Sequence, residues 1–211
     1  MSRVLPILFN TEMVRAILDG RKTVTRRICK DANEFTVPDM SFFDAEKRTY
    51  AVHNYADAEH TDKLSVAERT CPICPGDILY VRETWCSRYD GEKYFYLADK
   101  RTKREEKKLL DYGEIKWRPS IHMPKEAARI FLKVKDVRVE RLQDITEKQA
   151  ETEGINGSEV LYDGYIDARE KFAELWDSTI KKADIDRHSW SANPWVWVIE
   201  FERCEKPEGW E

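Results

Sequence analysis

Lys22 and Thr25 stand three residues apart in the stretch DGRKTVTRR, Asp19 to Arg27, with Arg21, Arg26 and Arg27 around them. A threonine hydroxyl becomes a nucleophile only when a base removes its proton, and pairing with an amine is one known way to do so. Lysine is a base when neutral, and burial or crowding by like charges favours that form; the three arginines supply the crowding. In a turn or helical extension, three-residue spacing can bring both side chains to one side. The residues therefore admit a lysine-activated threonine. They equally admit a phosphate clamp or a solvated cationic face, and residue types alone leave that choice open.

Other chemistries have weaker support. CPIC, Cys71 to Cys74, has the spacing of zinc ligands, but a structural zinc needs two more. Cys29, Cys86 and Cys204 are isolated, and His53, His60, His122 and His188 form no paired motif. No histidine begins the H-x-E element of a zinc deaminase, and the scattered glycines make no phosphate-binding or dinucleotide fingerprint. No metal and no cofactor is expected. The net charge of −4 means that attraction to polyanions must come from a local patch. Hydrophobic residues at 41% and aromatics at 11% suit a globular chain of 211 residues with a real core. No apolar run approaches the roughly 20 residues that span a bilayer, so no membrane partner is expected. The apolar run in MSRVLPILFNTEM is too short for a signal peptide. Five cysteines, an odd number without a secretion signal, point to reduced thiols in a cytoplasm.

The elements that must position Lys22 and Thr25 can be read from periodicity. VLPILFN reads as a short buried strand, Asn10 or Thr11 caps a helix to Asp19, and Gly20 stops it. Residues 30–75 are polar and weakly periodic, which reads as a long insertion, partly ordered at best. PGDILYVRETW and KYFYLA, Lys93 to Ala98, are strand candidates. The charged run from about 99 to 115 reads as a solvated helix or loop. In ARIFLKVKDVRVERL, Ile130, Leu132 and Val134 alternate, then Val137 and Val139 continue one residue out of phase, as at a bulge or bend near Lys135. DITEKQAETEGI is a short helix capped by Asp144 or Thr146. Ala168, Phe172, Leu175, Trp176 and Ile180 form a helical stripe, and PWVWVIEFERC is a long closing strand. The strands do not alternate regularly with helices, which argues against a doubly wound sheet. The expected fold is a single α+β domain, 1–211, built as a small, mostly antiparallel β-barrel decorated by helices.

GRKTVTRR resembles the G-x-K-x-x-E-x-R signature of ASCH domains, a PUA-like barrel family associated with RNA. Gly20, Lys22 and Arg27 match, while Thr25 replaces the glutamate. That replacement resembles the small bacterial ASCH amidohydrolases that deacetylate acetylcytidine, which carry G-R-K-T-x-T here. Their third catalytic residue lies in a segment similar to ITEKQAETE, Ile145 to Glu153, where it corresponds to Glu153. PGDILYVRETW, RPSIHMP and NPWVWVIEFE resemble a larger ASCH-like group common in phages and prophages. The likeness leaves out roughly residues 30–70 and 99–115.

The resemblance implies a PUA-like barrel and an amidohydrolase acting on a modified pyrimidine nucleoside. Lys22 would be the base, Thr25 the nucleophile, and Glu153 would orient Lys22 or protonate the departing amine. Arg21, Arg26 and Arg27 would attract substrate, and Arg82 and Glu83 would grip the polar edge of the base. Trp85 or Trp117 is a candidate stacking face, and Arg118, Ser120 and His122 are further pocket candidates. Two other readings stand beside it: a non-catalytic module binding RNA or single-stranded DNA, and a ribonuclease. The partner is accordingly a small-molecule nucleoside or RNA.

Overall fold

The computed structural model describes residues 2–30, 32, 36–57, 59–87, 94–99, 116–157, 159–161 and 164–210. Among them are twelve strands and four α-helices, an α+β composition dominated by strands. The chain divides into two compact units: Met1–Lys22, Gly76–Lys133 and Phe201–Glu211 make the first, Thr23–Pro75 and Val134–Glu200 the second.

In the first unit, β1 (Val4–Leu8) runs parallel to β6 (Ile78–Arg82), which pairs antiparallel with the start of β9 (Phe131–Arg141). β1 is only half buried, Val4 and Leu8 being exposed. Asn10 caps α1 (Thr11–Leu18), its Oδ1 accepting from the Met13 amide at 2.8 Å, which satisfies one of the donors a helix start leaves unpaired. Gly20 ends the helical segment at φ +76°, where a side chain would be strained. β7 (Trp85–Ser87) pairs with β8 (Tyr94–Tyr96), and Trp85, Met123, Phe131 and Trp210 form a core beneath them.

In the second unit, β2 (Val24–Ile28) pairs antiparallel with β12 (Trp195–Cys204), Thr25 opposite Ile199 and Arg27 opposite Trp197. Thr146 and Gln149 close a capping box at α2 (Glu147–Thr152), and Asp167 and Glu170 do the same for α3 (Ala168–Thr179). α3 buries Ala168, Phe172 and Trp176, one residue per turn, against Val24, Ala150, Val196 and Val198. A short hairpin of β10 (Glu159–Leu161) and β11 (Gly164–Ile166) precedes α3, and α4 (Ile185–His188) follows it.

Three expectations need correction. No sheet closes into a barrel among the described residues. β3 (Thr36–Asp44), β4 (Thr49–Tyr55) and β5 (Lys63–Thr70) pair among themselves, as do β7–β8 and β10–β11, so their ladders are spent locally. The supposed loose insertion is that same antiparallel meander. It looked aperiodic because β5 is exposed on nearly all its residues, while Tyr50, Ala51 and Val52 of β4 are buried in succession; Tyr50 meets Trp197 edge-on at 5.0 Å. Thr25 lies in a strand, not a turn, because β-branched Val24 and Thr25 find a ladder partner in β12. β9 is continuous, and its phase shift appears as two adjacent exposed residues, Lys135 and Asp136, between buried Val134 and Val137. Lys93 and the charged run from 100 to 115 lie outside the described residues.

Replacing Asn10 by alanine is expected to lower stability by about 1 kcal/mol, while Asn10→Asp, which keeps an accepting oxygen, stays close to the parent. Thermal melts of the two variants check this.

Candidate active site

Alternation along β2 sends Val24, Arg26 and Ile28 to one face and Thr25 and Arg27 to the other. The Arg26 face is the apolar core with α2 and α3, so its guanidinium needs partners. Nη1 bonds Glu153 Oε1 at 3.2 Å and Nη2 bonds Glu140 Oε2 at 3.3 Å. Its carbon also lies 5.9 Å from the centre of the Phe172 ring. Glu153 caps the end of α2, its own amide bonded to Gln149 and Ala150 carbonyls, and it is 4% exposed. The Thr23 amide donates to the Thr152 carbonyl at 2.9 Å. Two motifs far apart in the chain are thus joined through Arg26–Glu153 and Thr23–Thr152.

Glu140 and Arg138 take this network outward. Arg138 pairs with Glu140 and Glu200, and more loosely with Asp136 at 3.6 Å. Sequence reasoning missed these residues. The signal was available: Asp136, Arg138 and Glu140 sit at alternate positions of β9, hence on one face, with charges that alternate in sign.

On the other face of β2, Arg27 Nη1 donates to Thr25 Oγ1 at 2.9 Å and to the Arg26 carbonyl at 2.9 Å. A guanidinium only donates, so the Thr25 oxygen is the acceptor and its own proton remains available to a base. Burial pulls Arg27 below its ordinary pKa, and the charge of Glu153 pulls it back up. Arg27 lines a cavity of about 360 Å³ with Val137, Trp197, Ile199, Pro72 and Ile73. Pro72 and Ile73 belong to the CPIC turn. There Cys71 Sγ donates to the Ile73 carbonyl at 2.8 Å and Cys74 Sγ to the Cys71 carbonyl at 3.7 Å. Burial raises the Cys71 pKa, keeping its thiol protonated and donating. Among the described residues, no three His, Cys, Asp or Glu side chains gather as metal ligands do.

Lys22 ends the first unit. It is 2% exposed, its amide donates to the Ala16 carbonyl at 3.0 Å, and Nζ lies 5.5 Å from the centre of the Phe9 ring. The expected crowding by arginines is reduced, because Arg21 faces Asp19 at 3.5 Å and Arg26 holds two carboxylates.

The remaining candidates belong to the first unit, and most have an internal partner or an exposed position. Arg82 donates to the carbonyls of Met123, at 3.0 Å, and Ile121, which pins the RPSIHMP segment. Glu83, 1% exposed, takes two bonds from Arg129 at 2.9 and 3.0 Å; Arg129 also pairs with Asp99 and covers the Tyr96 ring at 3.8 Å. Trp85 is a core residue, with Arg118 over its ring at 5.1 Å and Tyr94 edge-on at 5.7 Å. Trp117 is half-buried, Arg118 and His122 are exposed, and Ser120 is half-buried in a single 3₁₀ turn. By unit, Thr25, Arg26, Arg27 and Glu153 belong together, and Lys22, Arg21, Arg82, Glu83, Trp85, Arg118, Ser120 and His122 belong to the other.

A scan against protein-family models and searches of curated proteins and of solved structures found no match for this chain.

Arg26→Met removes the cation from two carboxylates in an apolar surround and is expected to cost about 3–5 kcal/mol. Arg138→Met, at the more exposed end of the network, should cost less than about 1 kcal/mol; chemical denaturation of both tests the contrast. Burial raises the Glu83 carboxyl, Arg129 lowers it and Asp99 raises it. In a carbon NMR titration, Arg129→Met should move Glu83 further up and Asp99→Asn should move it down. Because the folded value is the higher one, the stability that Glu83 contributes is full below its unfolded pKa and is lost as pH rises through the folded one.

Proposed function

We propose that this protein is an ASCH-type amidohydrolase of PUA-like ancestry that deacylates a modified pyrimidine nucleoside such as acetylcytidine. The observation that carries the reading is the Arg26–Glu153 ion pair, 3.2 Å long across 127 residues of sequence, between the two motifs that resemble that family. Supporting it, Thr25 presents its oxygen to Arg27 at 2.9 Å and keeps its proton for transfer.

In the mechanism, Lys22, three positions before Thr25 in the chain, acts as a neutral base and takes the Oγ1 proton. Thr25 Oγ1 attacks the acetyl carbonyl carbon, and the carbonyl electron pair moves to oxygen. The positive charge of Arg27 favours the threonine oxygen as it becomes anionic. Collapse of the adduct breaks the C–N bond, and the departing cytosine nitrogen takes the proton from Lys22, with Glu153 orienting the lysine. Cytosine leaves more readily than an aliphatic amine. Water then attacks the acyl-threonine, loses a proton to Lys22, and acetate departs as Thr25 is reprotonated. Thr25 is 1% exposed, and Arg27, which bonds its oxygen, lines the neighbouring cavity. The non-catalytic reading as an RNA-binding module loses one of its cations, because Arg26 is 2% exposed and paired.

Acetate release from acetylcytidine tests the proposal. Lys22→Met, Thr25→Val and Glu153→Gln should each lower kcat/KM on the order of a thousandfold, as groups acting as a unit do, with melts confirming folded protein. An inactive parent, or full activity in Thr25→Val, removes the threonine nucleophile. RNA affinity falling steeply with salt would then favour the binding module.

A further inference from the structure

A second cavity in the second unit, about 610 Å³, is unaccounted for by the mechanism above. Its lining includes Lys30, Arg141, Arg187 and His188, with Asp186 the only acidic residue among the described ones. Standing cations outnumber carboxylates among the described lining residues, which suits a ligand carrying negative charge. The volume is that of a small-molecule site.

Arg141 and Trp195 give this cavity a built wall. The Arg141 guanidinium carbon lies 4.3 Å from the centre of the Trp195 ring. Nη1 donates to the Asn193 carbonyl at 3.1 Å, and Asn193 Oδ1 in turn accepts from the Gln143 amide at 2.8 Å. The arginine is therefore held in one orientation by stacking and by a bond to main chain. Trp195 Nε1 itself is buried, so the ring offers the cavity its stacking with Arg141. At the rim, Lys30 is exposed, and Arg187 pairs with Asp184 at 2.9 Å.

We infer that this cavity is a phosphate site and that the natural substrate is a phosphorylated nucleoside. The link to the substrate rests on the proposed function; the site itself does not. Ile28 and Lys30 line both this cavity and the one beside Arg27 and Trp197, so the two are neighbours. A nucleotide would place its base against the mostly apolar first cavity and its phosphate between Lys30 and Arg141. The phosphate chemistry is shared by a mononucleotide and by the 5′ end of an RNA strand.

The test is binding to Thr25→Val protein by calorimetry, which needs no turnover and so separates this inference from the amidohydrolase reading. The probes are cytidine, CMP, and a short ribo-oligomer with and without its 5′-phosphate. CMP is expected to bind about tenfold or more tighter than cytidine, a difference of one charge-assisted contact set. Arg141→Ala should remove most of that difference and leave cytidine binding unchanged, and Lys30→Glu, at an exposed position that borders both cavities, should weaken CMP far more than cytidine. If the phosphorylated oligomer binds tighter than CMP and loses the gain with the same variants, the site reads an RNA end; if not, it reads the mononucleotide. Equal affinity for CMP and cytidine, or CMP affinity untouched by Lys30→Glu and by a normally melting Arg141→Ala, overturns the inference.

Discussion

Arg26 carries a positive charge into an apolar core, and much of the second unit is arranged around neutralising it. An arginine cannot lose its proton in a protein, so burial at 2% exposure obliges carboxylates to follow it in. Glu153 arrives from the end of α2, and Glu140 arrives from β9. The positions of these elements relative to β2 are therefore constrained by a charge as well as by the packing of Val24, Ala150 and Phe172. Glu140 then needs Arg138, which draws in Glu200. Such a network contributes less to net stability than to uniqueness, since replacing a buried ion pair by hydrophobic residues is often neutral. Here its consequence is geometric: the two motifs that suggest chemistry are held to one another.

The strand period then separates two tasks. On one face of β2, Val24 and Arg26 are buried in the core; on the other, Thr25 is buried and Arg27 lines a cavity, which Ile28 also borders. Arg27 belongs to the second group, where it fixes the direction of the Thr25 hydroxyl and lines the space a substrate would fill. The CPIC turn contributes to that same cavity through Pro72 and Ile73, with its thiols serving as donors to backbone carbonyls. A stretch that looked like a metal motif is thus a wall.

Much of this was legible in the residues. The Asn10 cap, the Gly20 stop, the Thr146 cap, the stripe through Phe172 and Trp176, and the closing strand all rest on local rules, and each has its counterpart in the structure. The meander of residues 36–70 was not legible. Its strands are stabilised by pairing with one another and by Tyr50 against Trp197, contacts no local window contains. Glu83, Arg82 and Trp85 looked like a recognition set because exposure cannot be read from residue type; in place, they bind Arg129, backbone carbonyls and core.

By itself the sequence determined where helices start and stop and which residues could do acid–base or nucleophilic work. Those properties follow from side-chain chemistry and from spacings of a few residues. Only the tertiary structure decided that Thr25 lies on a strand, that Arg26 and Arg27 point to opposite faces, and that Glu140 and Arg138 complete the charge network. Each of those depends on which distant strand pairs with β2 and β9, and pairing is chosen by burial and charge balance over the whole unit, which no short stretch encodes.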